Sequence, residues 1–246
     1  MIQSPQVLRT AFTRFEAGVA SMMKRNGIRT APAIEITAEN TFNSPAWFSQ
    51  GDYGIYVSES LARQGNTPIT MGAVAHETGH VLSKHTVGAL FGGLTIVDTK
   101  NVAGLAPNLT NPFKASGISN KIGAVQNNWT EFRRLINYQK ELVSRYKGQE
   151  HEADRIMTHL LGSHDDALAM RRTFNSDEYL REALGTSGLK RMFAPVLLRN
   201  ARNGRDKLYG TLEEIEANIK GVDLNDRSHV NRLIARRNIE TMHERS

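Results

Sequence analysis

Residues 71–85 read MGAVAHETGHVLSKH. His76 and His80 stand four apart, with Glu77 beside the first. On an α-helix such a pair lies one turn apart on one face, so both rings can meet a single ion. Glu77 then stands within reach of a water on that ion. Thr67 followed by Pro68 supplies an N-cap and a proline at the first helical position, so a helix is expected from about Pro68 to about Lys84. The apolar neighbours, Ala73 to Ala75 before the motif and Val81 and Leu82 after it, set this helix against a core. The string alone can arise by chance. A hydrolytic zinc site takes three protein ligands and keeps a fourth position for water, and the motif supplies two.

A third ligand is offered seventy residues on, in YKGQEHEADRIM, residues 146–157. Glu150 and Asp154 are again four apart on one helix face. Glu150 can complete the ligand set. Asp154, one turn along, can accept a hydrogen bond from the outer ring N–H of a ligand histidine, which fixes its tautomer. Acids at a helix start also occur simply because the helix dipole favours them. The upstream histidine pair is what tips the choice toward ligation.

Bulk properties narrow the remaining classes. The 246 residues suffice for one large domain, and 39 % of them are hydrophobic. There is no cysteine, which removes disulfides and thiolate metal sites and leaves His, Asp and Glu as donors. Mean hydropathy is −0.42, and the N-terminal residues carry no apolar run of signal-peptide length, so a cytoplasmic location is expected. The most apolar segment, residues 86–100, is too short to span a bilayer and reads as a glycine-rich core helix or hairpin, leaving peripheral membrane contact open. Net charge is +6 and the pI about 9.6, but the positive residues are interleaved with acids, as in residues 131–155. That patterning suits a solvated helix face better than a nucleic-acid stripe, so no nucleic-acid partner is expected.

Along the chain, Val7, Leu8, Ala11, Phe12, Phe15, Val19 and Met22 give an amphipathic helix over residues 4–25 that Asn26-Gly27 ends. Ile34 and Ile36 alternate with Glu35, and Ile55 and Val57 with Tyr56, so two or three short strands precede the histidine helix. Residues 98–128 look irregular. Helices are expected from Thr130 onward with Gly148 as a candidate break, then over Glu150 to Leu161, and near 164–173, 176–185, 187–200, 211–220 and 226–240. The fold class is α+β, mostly helical, with a small antiparallel sheet packed on the histidine helix. We expect one domain over 1–246: an N-terminal helix in 1–29, a catalytic core in 30–165 and a helical C-terminal part in 166–246.

AVAHETGHVLSKH taken with EHEAD resembles the gluzincin metallopeptidases of the HtpX, BepA and CAAX prenyl endopeptidase group. Their pattern is HExxH, often with Gly before the second His and another His five residues after it, followed later by E-x-x-A-D; Gly79, His85 and Glu150 to Asp154 stand in those places, and the match covers roughly residues 30–165. The resemblance implies a zincin-like fold, one Zn2+ held by His76, His80 and Glu150, Glu77 as catalytic base, and a polypeptide substrate. Glu152 points about 200° away from Glu150 on the helix and is not a ligand in this reading. His85 and His151 are expected to be ordinary surface or packing histidines. The group often carries a later Ser-His-Pro-Pro segment whose histidine steadies the oxyanion. Ser228-His229 matches its first half and no proline follows, so His229 is carried over as a catalytic candidate with His159 and His164 as rivals. Lys147 stands where the group has arginine, and the transmembrane helices of the HtpX-like enzymes and the prenyl endopeptidases are not expected in this sequence.

Trp47 and Phe48 are assigned to a substrate-binding strand edge, with a pair of core aromatics as the equal alternative. The competing functional reading is a catalytically weak or latent gluzincin acting as a binding or regulatory module.

Overall fold

A computed structural model describes residues 5–29, 32–37, 46–48, 54–85, 144, 146–176, 202–203 and 205–243. Residues 1–88 with 147–246 pack as one compact unit, which holds the sheet and the histidine helix, and residues 89–146 form a second. The expectations for residues 86–100, 98–128, 130–143, 177–185 and 187–200 fall outside the described residues.

The described elements are helix α1 (Pro5–Arg25), strands β1 (Ile34–Thr37), β2 (Ala46–Phe48) and β3 (Ile55–Ser58), and helices α2 (Glu59–Ala62) and α3 (Pro68–Ser83). Helix α4 comes next, its described helical residues unbroken from 146 to 161. Then come α5 (His164–Phe174), α6 (Leu212–Lys220) and α7 (Ser228–His243). Gly148 therefore lies inside a helix rather than ending one. Among the described helices none is long and apolar enough to cross a membrane.

The described residues are mostly helical with one small sheet, as expected, but that sheet is not all antiparallel. Its order is β1-β3-β2. β2 and β3 pair antiparallel, with Trp47 opposite Tyr56, whereas β1 and β3 run parallel, with Ile34 opposite Ile55. The cause is connectivity. β2, the nearer of the two in sequence, pairs antiparallel with β3 and takes one side of it. β1 is left the other side, and a parallel pair needs a long connection, which residues 38–54 supply. Alternation of apolar residues reports which face is buried, not the direction of the partner strand.

Helix α3 is the centre of the unit. Every residue from Thr70 to Leu82 is buried except Glu77. A helix covered on all sides needs partners on all sides; α1, α5, α7, β2 and β3 all pack against it. Its polar positions are satisfied within the fold: Thr78 Oγ1 donates to Val74 O at 2.7 Å and Thr70 Oγ1 to Leu61 O at 3.3 Å. Two glycines set the spacing. A Cβ on Gly72 would lie 2.7 Å from Met170 Cβ of α5, and one on Gly79 3.0 Å from the backbone of Ala153 of α4. These close approaches bring α4 and α5 onto the face that carries the histidines.

Candidate metal centre

Local signals fix both ends of α3. Thr67 caps its start by accepting from Thr70 N at 3.3 Å, and Pro68 opens the first turn. At the other end Lys84 adopts the left-handed conformation, with φ 53°. Lys84 N donates to Val81 O at 3.2 Å and His85 N to His80 O at 3.1 Å. This pair of reversed bonds is a Schellman motif, and it turns the residue after Lys84 back over the last helical turn.

With Gly79 against Ala153, Glu150 reaches both histidines. His76 Nε2 lies 3.1 Å from Glu150 Oε2, His80 Nε2 lies 3.3 Å from Glu150 Oε1, and the two Nε2 atoms are 3.1 Å apart. All three side chains are buried, and among the described residues theirs is the one group of three such donors close enough to hold a metal ion. His76 Nδ1 lies 3.0 Å from Asp154 Oδ1, the outer contact expected from the four-residue spacing. Asp154 is itself fully buried.

The proton positions decide what this group can hold. Asp154 is a carboxylate: burial pushes its pKa up, but Arg171 and His76 outweigh that and keep it low. It can only accept, so His76 carries a hydrogen on Nδ1, and its Nε2 faces inward and offers a lone pair when the ring is neutral. His80 Nε2 faces the same point, beside a Glu150 carboxylate that the two rings hold ionised against the cost of its burial. Lone pairs and a carboxylate converging at 3.1–3.3 Å repel one another unless a cation or a proton lies between them. Donors bound to tetrahedral zinc at about 2.0–2.1 Å lie roughly 3.3 Å from each other. The donor set of two imidazoles and a carboxylate therefore fits zinc in type, number and spacing.

Arg171, on α5, is absent from the sequence-based expectations, and it is part of this site. Its Nε donates to Asp154 Oδ1 at 2.7 Å and its Nη2 to Glu150 Oε2 at 3.2 Å. Tyr209 lies under the guanidinium, 5.8 Å from Cζ to the ring centroid. Burial presses the Arg171 pKa down, but Asp154 and Glu150 more than offset this, so the group stays charged. The signal that could have found it is a charge on an apolar stripe: position 171 lies one turn after Ala167 and adjoins Met170, both buried.

Glu77 is the partly exposed position beside His76. Trp47 and Phe48 lie on β2, the strand at one edge of the described sheet, opposite Tyr56 and Ile55. His229, in the first turn of α7, is not brought to the three donors by its hydrogen bond: its Nε2 lies 3.3 Å from Glu152 Oε1, and its side chain is 55 % exposed. Of its rivals, His164 Nε2 donates to Val222 O at 2.9 Å, and His159 is buried. His151 Nε2 donates to Tyr209 O at 2.9 Å, a packing role as expected. His85 is different. It is buried, and its ring packs edge-on against His80 with centroids 4.9 Å apart.

Comparison with known proteins agrees with this geometry. No curated protein and no solved structure matches the chain significantly. The family model of Peptidase family M48 matches residues 10–231, a span that contains α3, α4 and every residue of the donor set. The chain belongs to Peptidase family M48, a family of zinc metallopeptidases.

Proposed function

We propose that the protein is a zinc endopeptidase of zincin-like fold, with His76, His80 and Glu150 as ligands, Asp154 as the partner of His76 and Glu77 as general base. The observation that carries this reading is the convergence of the two Nε2 atoms and the Glu150 carboxylate at 3.1–3.3 Å, with Glu77 as the only unburied position in the surrounding run of α3. Zinc held there would acidify a water and polarise a peptide carbonyl. Glu77 takes the proton of the attacking water and delivers it to the leaving amine. Asp154 keeps the His76 hydrogen on Nδ1 throughout, and Arg171 keeps Asp154 ionised in a buried setting.

The substrate in this reading is an extended polypeptide. β2 is an edge strand of the described sheet and packs beside α3, so a peptide added along it would run past the metal helix. Trp47 and Phe48 are its proposed contact positions. His229 would have to leave Glu152 to face a tetrahedral oxyanion.

Metal analysis and a peptide-library cleavage assay on wild type and Glu77→Gln test the reading. We expect one zinc per chain in both and a loss of cleavage of about 10²–10⁴-fold in the variant, the usual contribution of a positioned base. Equal cleavage by the two proteins would falsify the mechanism. Zinc binding without cleavage of any peptide would favour the latent, regulatory reading instead.

A further inference from the structure

Asp154 braces one ligand histidine, His76. The other, His80, has an outer nitrogen that meets a longer chain of groups. His80 Nδ1 lies 2.8 Å from His85 Nδ1, and His85 Nε2 lies 3.4 Å from Glu152 Oε2. Glu152 is in turn gripped at Oε1 by Ser83 Oγ, which donates at 3.0 Å, and by His229 Nε2 at 3.3 Å. Three elements thus converge on this carboxylate: the end of α3, the turn after it, and α7.

We infer that His85 and Glu152 are positioning residues of the metal centre, forming a second outer arm, His80–His85–Glu152, that orients His80 and fixes its tautomer. The inference rests on the reading of His80 as a zinc ligand. The hydrogen accounting leaves one arrangement that suits a metal. Glu152 as a carboxylate only accepts, so His85 carries its hydrogen on Nε2. In a neutral ring His85 Nδ1 is then an acceptor, which requires the hydrogen of His80 on its own Nδ1. His80 Nε2 is left with its lone pair, directed at His76 and Glu150. Reversing any one step puts a hydrogen on His80 Nε2 and abolishes it as a ligand. The same logic operates through Asp154 for His76, but in one step rather than two.

The geometry also separates this arm from mere packing. His85 is reached through the left-handed Lys84 and the Schellman turn rather than by continuing the helix. Glu152 sits on the side of α4 away from Glu150, yet it is the residue that the turned-back His85 meets. Positioning partners of this kind change metal affinity about 10–100-fold.

The test is zinc affinity, measured by chelator competition on the full chain, together with the visible spectrum of the cobalt-substituted protein. His85→Ala and Glu152→Ala should raise the zinc dissociation constant about 10–100-fold and shift the cobalt bands. Glu152→Gln, which keeps an acceptor for His85 Nε2–H, should recover most of the loss. Should His85→Ala fail to fold, Glu152→Ala carries the same test from a partly exposed position. If both alanine variants lower thermal stability but leave the zinc constant and the cobalt spectrum at wild-type values, the arm is only structural and the inference is overturned. A wild-type chain that binds no zinc would instead remove the reading of His80 as a ligand.

Discussion

Gly79 and Ala153 bring the backbones of α3 and α4 into contact: a Cβ on Gly79 would stand 3.0 Å from both the Cα and the carbonyl oxygen of Ala153. The obstacle is backbone, so it cannot rotate away as a side-chain tip would. Gly79→Ala must therefore push the two helices apart. Overpacking of this kind costs about 1–3 kcal/mol. Because Glu150 is one turn before Ala153, the same displacement moves a ligand. We expect a lower unfolding midpoint together with weaker zinc binding. The check is denaturant unfolding and chelator competition on one preparation; a variant that loses stability while keeping its zinc constant would show that the crossing does not set the position of Glu150.

Metal affinity should depend on pH through one proton. Burial and Arg171 press the His76 pKa down, but Glu150 and Asp154 raise it from 6.5 to about 9. Burial lowers His80 from 6.5 to about 4. Between those values the metal-free pair carries one proton, on His76, and a metal ion must displace it. Affinity should thus fall about tenfold for each pH unit below about 9. The same two shifts shape the stability of the metal-free fold. The raised His76 pKa adds stability that is full below 6.5 and lost as pH rises through about 9. The lowered His80 pKa leaves stability intact above 6.5 and removes it as pH falls through about 4. The metal-free protein should be most stable near 6.5, and a zinc constant that does not change with pH across neutrality would contradict the shared proton.

Arg171 is the cation paired with two buried carboxylates. Its Nη2 lies 3.2 Å from Glu150 Oε2 and 2.7 Å from Asp154 Oδ1. Removing one partner of a buried ion pair costs about 3–5 kcal/mol, because the other charges remain without a partner. Arg171→Ala should destabilise the metal-free protein by that order. Saturating zinc should restore part of the loss, since it supplies positive charge to Glu150. Arg171→Lys keeps the charge but not the planar fork and should fall between. Urea titrations with and without zinc read all three; an Arg171→Ala protein as stable as wild type without metal would mean that the carboxylates take up protons at no cost.

What the sequence discloses about this site is its helical part. His76 with His80, and Glu150 with Asp154, are four-residue pairs, and a helix turns that spacing directly into proximity. Thr67 and Pro68 likewise place the start of α3 through contacts within a few residues. The parts that escape are set by chain reversals and by other helices. Arg171 lies seventeen residues beyond Asp154 on a separate helix, and a basic last turn has an ordinary explanation in the helix dipole. The parallel β1–β3 pair depends on which side of β3 the chain left free. A helix continued past Lys84 would carry His85 off the ligand face. The reversal at Lys84 folds it back onto His80 instead, and no glycine marks that reversal.

Lys84 offers the sharpest test of how the second arm is built. A non-glycine residue in the left-handed region costs roughly 1–2 kcal/mol, and Lys84 holds φ 53° there. Glycine removes that strain but adds freedom to the unfolded chain, worth about 0.4–1 kcal/mol in the other direction. Lys84 Nζ also pairs with Glu240 Oε1 at 2.7 Å, a partly exposed contact of small value. Lys84→Gly should therefore stay within about 1 kcal/mol of wild type and keep its zinc constant, because His85 N can still bond His80 O. Lys84→Val should not: a β-branched residue resists the left-handed conformation, the Schellman bonds open, and His85 swings away from His80. We expect that variant to lose zinc affinity by the same factor as His85→Ala, measured by the same chelator competition. If the valine variant binds zinc as tightly as the glycine variant, the turn does not deliver His85 to the metal centre.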